Sequence, residues 1–129
     1  MLAVLLLPII IGGFVVSIIF LRGQSEWDGT ETLECDGNDE MTVSDVTSNV
    51  TGGPAIIADG NCTLHVKQCN VKGTIGIQAG GNAEVFVDQG SVQGTEKSIT
   101  ATGNARVELH GTKVTGPKTH DANGEIVGP

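Results

Sequence analysis

Aromatic residues are scarce in this chain of 129 residues: there is no tyrosine, one tryptophan and three phenylalanines. Aromatic side chains commonly dominate the core of a compact domain, so a core in this chain has to be built from Val, Ile and Leu instead. Phe14 and Phe20 fall in an apolar N-terminal run, which leaves Phe86 as the single phenylalanine of the remaining chain. Strict alternation directs Phe86 outward, between inward Val85 and Val87, and we expect it to pack on a neighbouring side chain or on the C-terminal tail.

Basic residues are also few. Seven Lys and Arg residues stand against fifteen Asp and Glu residues, and the net charge at pH 7 is −8. Binding to a nucleic-acid backbone requires clustered Lys and Arg side chains that neutralise phosphates. We therefore expect no nucleic-acid partner.

Patterns that bind metals, cofactors or reacting groups are missing as well. The acidic stretch 36–40 lacks the residue order of a calcium loop, and the Gly-rich turns lack the strand and helix that flank a phosphate-binding loop. His65, His110 and His120 fall at unrelated positions of the chain. We therefore expect no catalytic residues, no metal and no cofactor, in a protein that is not an enzyme.

The three cysteines, Cys35, Cys62 and Cys69, have neither the CxxC spacing nor the paired histidines of a zinc site. Two interpretations stay open. Two of these cysteines form a structural disulfide outside the cytoplasm, or all three are buried thiols that pack as small apolar side chains.

One long apolar run is present. Residues 2–21 carry no charged side chain, and a helix of this length spans about 30 Å, the thickness of the hydrocarbon core of a bilayer. The run is long for a secretory leader and lacks a basic start and a small-residue cleavage site, so residues 1–22 predict a retained transmembrane helix, with a removed leader as the alternative. Gly13 and Ser17 have the small-xxx-small spacing through which membrane helices associate.

An acidic juxtamembrane linker is predicted at residues 23–34. Its Trp27 either lies at the lipid headgroups or covers the open end of the domain that follows. That domain is poor in Lys and rich in Thr, Asn and Gly. We expect it to be periplasmic or extracellular, anchored to the membrane by residues 2–21.

The rest of the chain repeats itself. The dipeptide Gly-Asn begins four units, at residues 37, 60, 81 and 103, which are 23, 21 and 22 residues apart. Within each unit, apolar residues recur two positions apart, which is the period of a strand. The aligned apolar columns are Met41, Leu64, Val85 and Val107; Val43, Val66, Val87 and Leu109; Val71, Val92 and Val114; and Ile56, Ile77 and Ile99.

Each unit therefore predicts three short strands, each followed by a turn, and stacked units would bury like residues on like. This pattern, from Cys35 to Gly116, resembles that of bacterial right-handed parallel β-helix proteins. The resemblance implies an all-β fold, a short parallel β-helix of about four coils in residues 35–129, preceded by the single transmembrane helix. The repeated asparagines are expected to stack at one corner as a ladder of hydrogen-bonded amides, formed by Asn38, Asn61, Asn82 and Asn104.

The last residues bear on function. After the fourth unit an apolar strand returns at Ile126 and Val127, and no helix covers the final coil. An uncovered solenoid end and the outward Phe86 favour contact with another copy. We therefore predict a membrane-anchored structural protein that forms a homo-oligomer, filament or scaffold at the cell envelope. The alternative is a surface or periplasmic module that binds a glycan or a protein, and a polysaccharide-active enzyme ranks last.

Overall fold

The computed structural model describes residues 27–128, which form an all-β parallel solenoid of about four coils. The repeat architecture predicted from the sequence is thereby confirmed. The predicted transmembrane helix of residues 1–22, including Gly13 and Ser17, lies outside the described residues. Within residues 27–128 there is no helix that is long and apolar enough to cross a membrane.

The described residues contain eleven strands: β1 (Leu33–Cys35), β2 (Glu40–Ser44), β3 (Ile56–Ala58), β4 (Thr63–Lys67), β5 (Asn70–Ala79), β6 (Glu84–Asp88), β7 (Ser91–Ala101), β8 (Arg106–His110), β9 (Lys113–Thr115), β10 (Lys118–His120) and β11 (Glu125–Val127). A five-stranded sheet has the order β11-β8-β6-β4-β2, and a six-stranded sheet has the order β9-β7-β5-β3-β1, with β10 also paired to β7. All pairs are parallel, and neighbouring strands come from successive coils.

Like residues stack on like to build the core. Val87 pairs with Val66 of the preceding coil and with Leu109 of the following coil, and Ile99 pairs with Ile77. Because every second side chain of a strand points inward, each such position forms an apolar column that is buried in the central coils and partly exposed at Met41, Val114 and Ile126. The largest fully buried side chains are Ile56, Leu64, Ile77, Ile99, Val43, Val66, Val71, Val85, Val87, Val92 and Val107.

The corner that carries the Gly-Asn pairs depends on glycine for its backbone. The glycine of each pair has a φ between +61° and +65°, a region that glycine adopts without steric cost. The asparagine after it is not among the described residues with positive φ. The asparagine at this corner is therefore used for its side chain, and the glycine for its backbone.

The second and third strands of a unit are joined more closely than the sequence predicts. In the two central coils they form one bent strand, β5 or β7, without a separate turn. Between these strands Gly73 pairs with Gly94 and Ile75 with Lys97, so β7 has one residue more than β5 across the bend. This bulge replaces the predicted turn.

The N-terminal end of the stack is covered by the segment before β1. Trp27 packs against the core, and its indole N–H donates to the carbonyl of Glu31 at 2.6 Å. Gly29 accepts a hydrogen bond from the backbone N–H of Asn49 at 3.0 Å. Trp27 thus packs against the solenoid core, as expected if it covers the open end of the domain.

The C-terminal end carries a partial fifth coil. Ile126 pairs with Val107 and packs against the core, whereas Val127 is 39 % exposed. In β10, Lys118 stands in register with buried Ile99, and its Nζ lies 3.5 Å from the carbonyl of Gly128. Lys118 is exposed, and a charged side chain in register with the isoleucine column limits the addition of further strands at this end.

Candidate binding groove

A groove of about 400 Å³ lies on the outer surface of the six-stranded sheet. Its floor is a column of outward side chains in register, Gln78, Thr100 and Thr119, which come from three successive coils. Gln78 and Thr100 each lie between a buried isoleucine and a buried alanine, and Thr119 is in register with Thr100. The same alternation that builds the core therefore also builds the floor of the groove.

Two irregular features form the walls. On one side are Ile75 and Lys97, at the bulge where β5 and β7 differ in length. On the other side are Thr102 and Asp121, which directly precede the left-handed residues of the Gly-Asn corner. A smaller hollow of about 170 Å³ shares Gln78 and Thr102 with the groove. It extends the groove toward the N-terminal end, over Ile57 and Asp59.

Thr100 is the unusual residue of this groove, because its side chain is only 9 % exposed and yet its hydroxyl makes no hydrogen bond to the described residues. The other buried polar side chains of residues 27–128 are all hydrogen-bonded. Ser98 donates to the carbonyl of Gly116 at 2.9 Å and Thr112 to that of Val87 at 3.2 Å.

The remaining buried polar side chain, Ser48, accepts a hydrogen bond from the backbone N–H of Lys72 at 3.0 Å. Buried polar groups are nearly always satisfied, so a single exception on the floor of a groove indicates a group that is available to a ligand. The amide of Gln78 and the hydroxyl of Thr119, which are partly exposed, also make no hydrogen bond to the described residues.

The asparagine column forms a continuous ladder on the neighbouring corner. Each Nδ2 donates to the Oδ1 of the asparagine one coil earlier, at 3.0 to 3.2 Å. The ladder has one member more than the repeat predicts, Asn123, whose amide donates to Asn104 at 3.0 Å. Asn123 is 19 residues from Asn104 and follows Ala122 instead of a glycine, so it does not match the repeat.

Phe86 lies on the outer face of the five-stranded sheet, away from the groove. It is partly exposed and stacks on His65 of the preceding coil, with ring centroids 5.2 Å apart and planes inclined by 17°. The surrounding positions are charged. Arg106 donates to Glu108 at 3.0 Å and to Glu125 at 3.2 Å. This face is therefore polar and ion-paired around one aromatic contact.

The cysteines divide into one disulfide and one thiol. Cys35 and Cys62 are bonded between adjacent coils, and Cys69 is buried and free. Burial raises the pKa of the Cys69 thiol, whose Sγ lies 3.4 Å from the carbonyl oxygen of Lys67. Residues 27–128 contain no cluster of three or more His, Cys, Asp or Glu side chains that could hold a metal ion.

None of the sites predicted from the sequence includes the groove, although the alignment of the repeat units is sufficient to identify its floor residues. The residue between each inward isoleucine and alanine of the repeat is Ile57, Gln78 or Thr100. The walls have no such signal, since they come from a bulge and a corner of different coils. Comparison with protein-family models, with curated proteins and with solved structures finds no match for this chain.

Proposed function

We propose that this protein is a binding module whose groove holds an extended ligand that lies along the solenoid axis. The observation that carries the proposal is the buried, unbonded hydroxyl of Thr100 on the groove floor. The floor residues Gln78, Thr100 and Thr119 come from three successive coils, so a ligand that follows them would meet one polar side chain in each of these coils. Among residues 27–128, Val127 is the only large apolar side chain with more than a third of its surface exposed, which favours polar recognition over a hydrophobic interface.

Blocking the groove tests this proposal. Thr119→Arg places a long side chain on the partly exposed floor, and Thr42→Arg makes the same change on the outer face of the five-stranded sheet. The full chain would be screened against immobilised cell-wall oligosaccharides and extended peptides. We expect binding to be lost with Thr119→Arg and kept with Thr42→Arg. Equal binding by both variants would exclude the groove as the binding site.

We further propose that residues 1–22 anchor the protein to a membrane and that the solenoid lies on the periplasmic or extracellular side. The disulfide between Cys35 and Cys62 supports this location, because such bonds persist in oxidising compartments. Protease digestion of intact cells and of opened cells would test it. Protection of the solenoid in opened spheroplasts would contradict the assignment.

Assembly into a homo-oligomer or filament is the second candidate function. It is favoured by the exposed Val127 on β11, which is the last strand of its sheet. The charged Lys118, which is in register with the isoleucine column at this end, opposes stacking end to end, so a contact along the side of β11 is the better supported form. Size-exclusion chromatography with light scattering on the full chain in detergent would reveal an oligomer, and Val127→Lys and Gly13→Leu should each weaken it. A monomeric wild-type protein would rule out this function.

A further inference from the structure

We propose that the ligand of the groove is an uncharged, hydroxyl-rich oligosaccharide. This inference rests on the proposed binding function and adds the chemical class of the ligand. Three features of the groove carry it: the spacing of its floor residues, their hydrogen-bonding capacity and the charge of its walls.

The floor repeats with the coil spacing. Gln78, Thr100 and Thr119 are Cα partners in neighbouring parallel strands, which are about 4.8 Å apart. In an extended peptide along the same axis, side chains on one face recur every second residue, or about every 6.7 Å. This spacing does not match the spacing of the floor residues. One pyranose ring adds close to one coil spacing to a β-linked chain, so each sugar would face one floor residue.

The floor groups also match sugar hydroxyls in their chemistry. The hydroxyl of Thr100 both donates and accepts, and the amide of Gln78 provides two donors and an acceptor. None of these groups is bonded to the described residues. Sugar hydroxyls donate and accept as well, so one sugar ring can form a hydrogen bond with the Thr100 hydroxyl whether that hydroxyl donates or accepts. Ile75 on the wall offers an apolar surface to the C–H groups of the ring.

The groove walls, which also include His120, offer no excess of Lys and Arg side chains to an acidic polymer. Asp121 lies on one wall and Asp59 at its extension, whereas Lys97 lies on the opposite wall. The whole chain carries a net charge of −8, which repels polyanions over the surface. An uncharged chain avoids this repulsion and still meets every hydrogen-bonding group of the floor.

Calorimetric titration of the full chain, in a detergent without a sugar headgroup, tests this ligand class. Cellohexaose is the uncharged probe, hexagalacturonate the acidic probe, and a short peptide of alternating Thr and Gln the extended-peptide probe. Thr100→Val removes the hydroxyl while keeping the shape, and Thr42→Val is the matched control on the other sheet. We expect cellohexaose to bind most tightly, Thr100→Val to weaken it roughly three- to tenfold, and Thr42→Val to leave it unchanged.

The other outcomes separate the two proposals. Tighter binding of the peptide or of hexagalacturonate, weakened by Thr100→Val, would overturn the uncharged glycan and leave the groove as the binding site. Cellohexaose binding that Thr100→Val and Thr119→Arg leave unchanged would overturn both the ligand assignment and the groove. No binding of cellohexaose would overturn the ligand assignment, and the broader screen with Thr119→Arg would then decide on the groove.

Discussion

Replacing Asn82 with alanine measures how much the asparagine ladder stabilises the solenoid. Asn82 lies inside the ladder: its Nδ2 donates to Asn61 at 3.2 Å, and its Oδ1 accepts from Asn104 at 3.1 Å. Its backbone φ is not positive, and its N–H bonds the carbonyl of Gly60, so alanine fits the same backbone. The substitution therefore removes two side-chain hydrogen bonds and little else.

The expected loss of stability follows from the exposure of the ladder. A hydrogen bond contributes about 0.5–1.5 kcal/mol to the free energy of unfolding. The ladder side chains are exposed, so water partly replaces the lost partners, and we expect about 1–2 kcal/mol for Asn82→Ala. Asn123 stands at the end of the ladder and makes a single bond in it. Asn123→Ala should therefore cost about half as much.

Urea unfolding of the full chain, followed by far-UV circular dichroism and by the fluorescence of Trp27, would measure both values. Trp27 is the only tryptophan and packs against the core, so its emission reports on the first coil. Asn82→Asp adds a pH test. Its carboxylate would face the carbonyl oxygen of Asn61, and in acid the protonated carboxyl can donate again, so the deficit relative to wild type at the same pH should shrink below about pH 4.

The reasoning about the ladder would be refuted by either of two results. One is an Asn82→Ala variant that unfolds no more easily than Asn123→Ala. The other is an Asn82→Asp deficit that does not change between neutral and acidic pH. In either case the amide chain would be a consequence of the stacking and not a source of stability.

Three further predictions concern the core and the cysteines. Val87→Asp puts a carboxylate between Val66 and Leu109 without a partner, so the β signal in circular dichroism should be lost, whereas Val87→Ala should fold with a loss of about 2–3 kcal/mol; an unchanged melting temperature for Val87→Asp would show that this column is not buried. Replacing Cys35 and Cys62 with alanine opens a loop with a sequence separation of 27 and should cost about 3.5 kcal/mol in urea unfolding, so equal midpoints for variant and wild type would contradict a stabilising disulfide. Because burial raises the pKa of the Cys69 thiol in the folded state, the contribution of Cys69 to stability is complete below the ordinary thiol pKa and declines as the pH rises above it. Alkylation of Cys69 in the native protein at neutral pH should be slow, and rapid labelling without unfolding would show that the thiol is not buried.

Much of the fold follows from the sequence because a solenoid is stabilised mainly by contacts between adjacent units. A residue such as Val87 meets its own equivalents one coil away, so the spacing of the repeat already identifies its neighbours. The same logic identifies the asparagine corner and the direction of Phe86. The fifth asparagine, Asn123, escapes it because its unit is shorter and has Ala122 in the place of the glycine.

The strand period, the inward columns and the asparagine corner can therefore be predicted from the amino-acid sequence, because they depend on alternation and on a repeat of nearly constant length. Only the folded structure shows that Cys35 bonds Cys62 and that walls from different coils form a groove around Thr100. Each of these features combines side chains from different coils whose residues differ between units. A contact between unlike residues depends on the bulges, rotamers and corner geometry that place them, and none of these has a period that can be read along the chain.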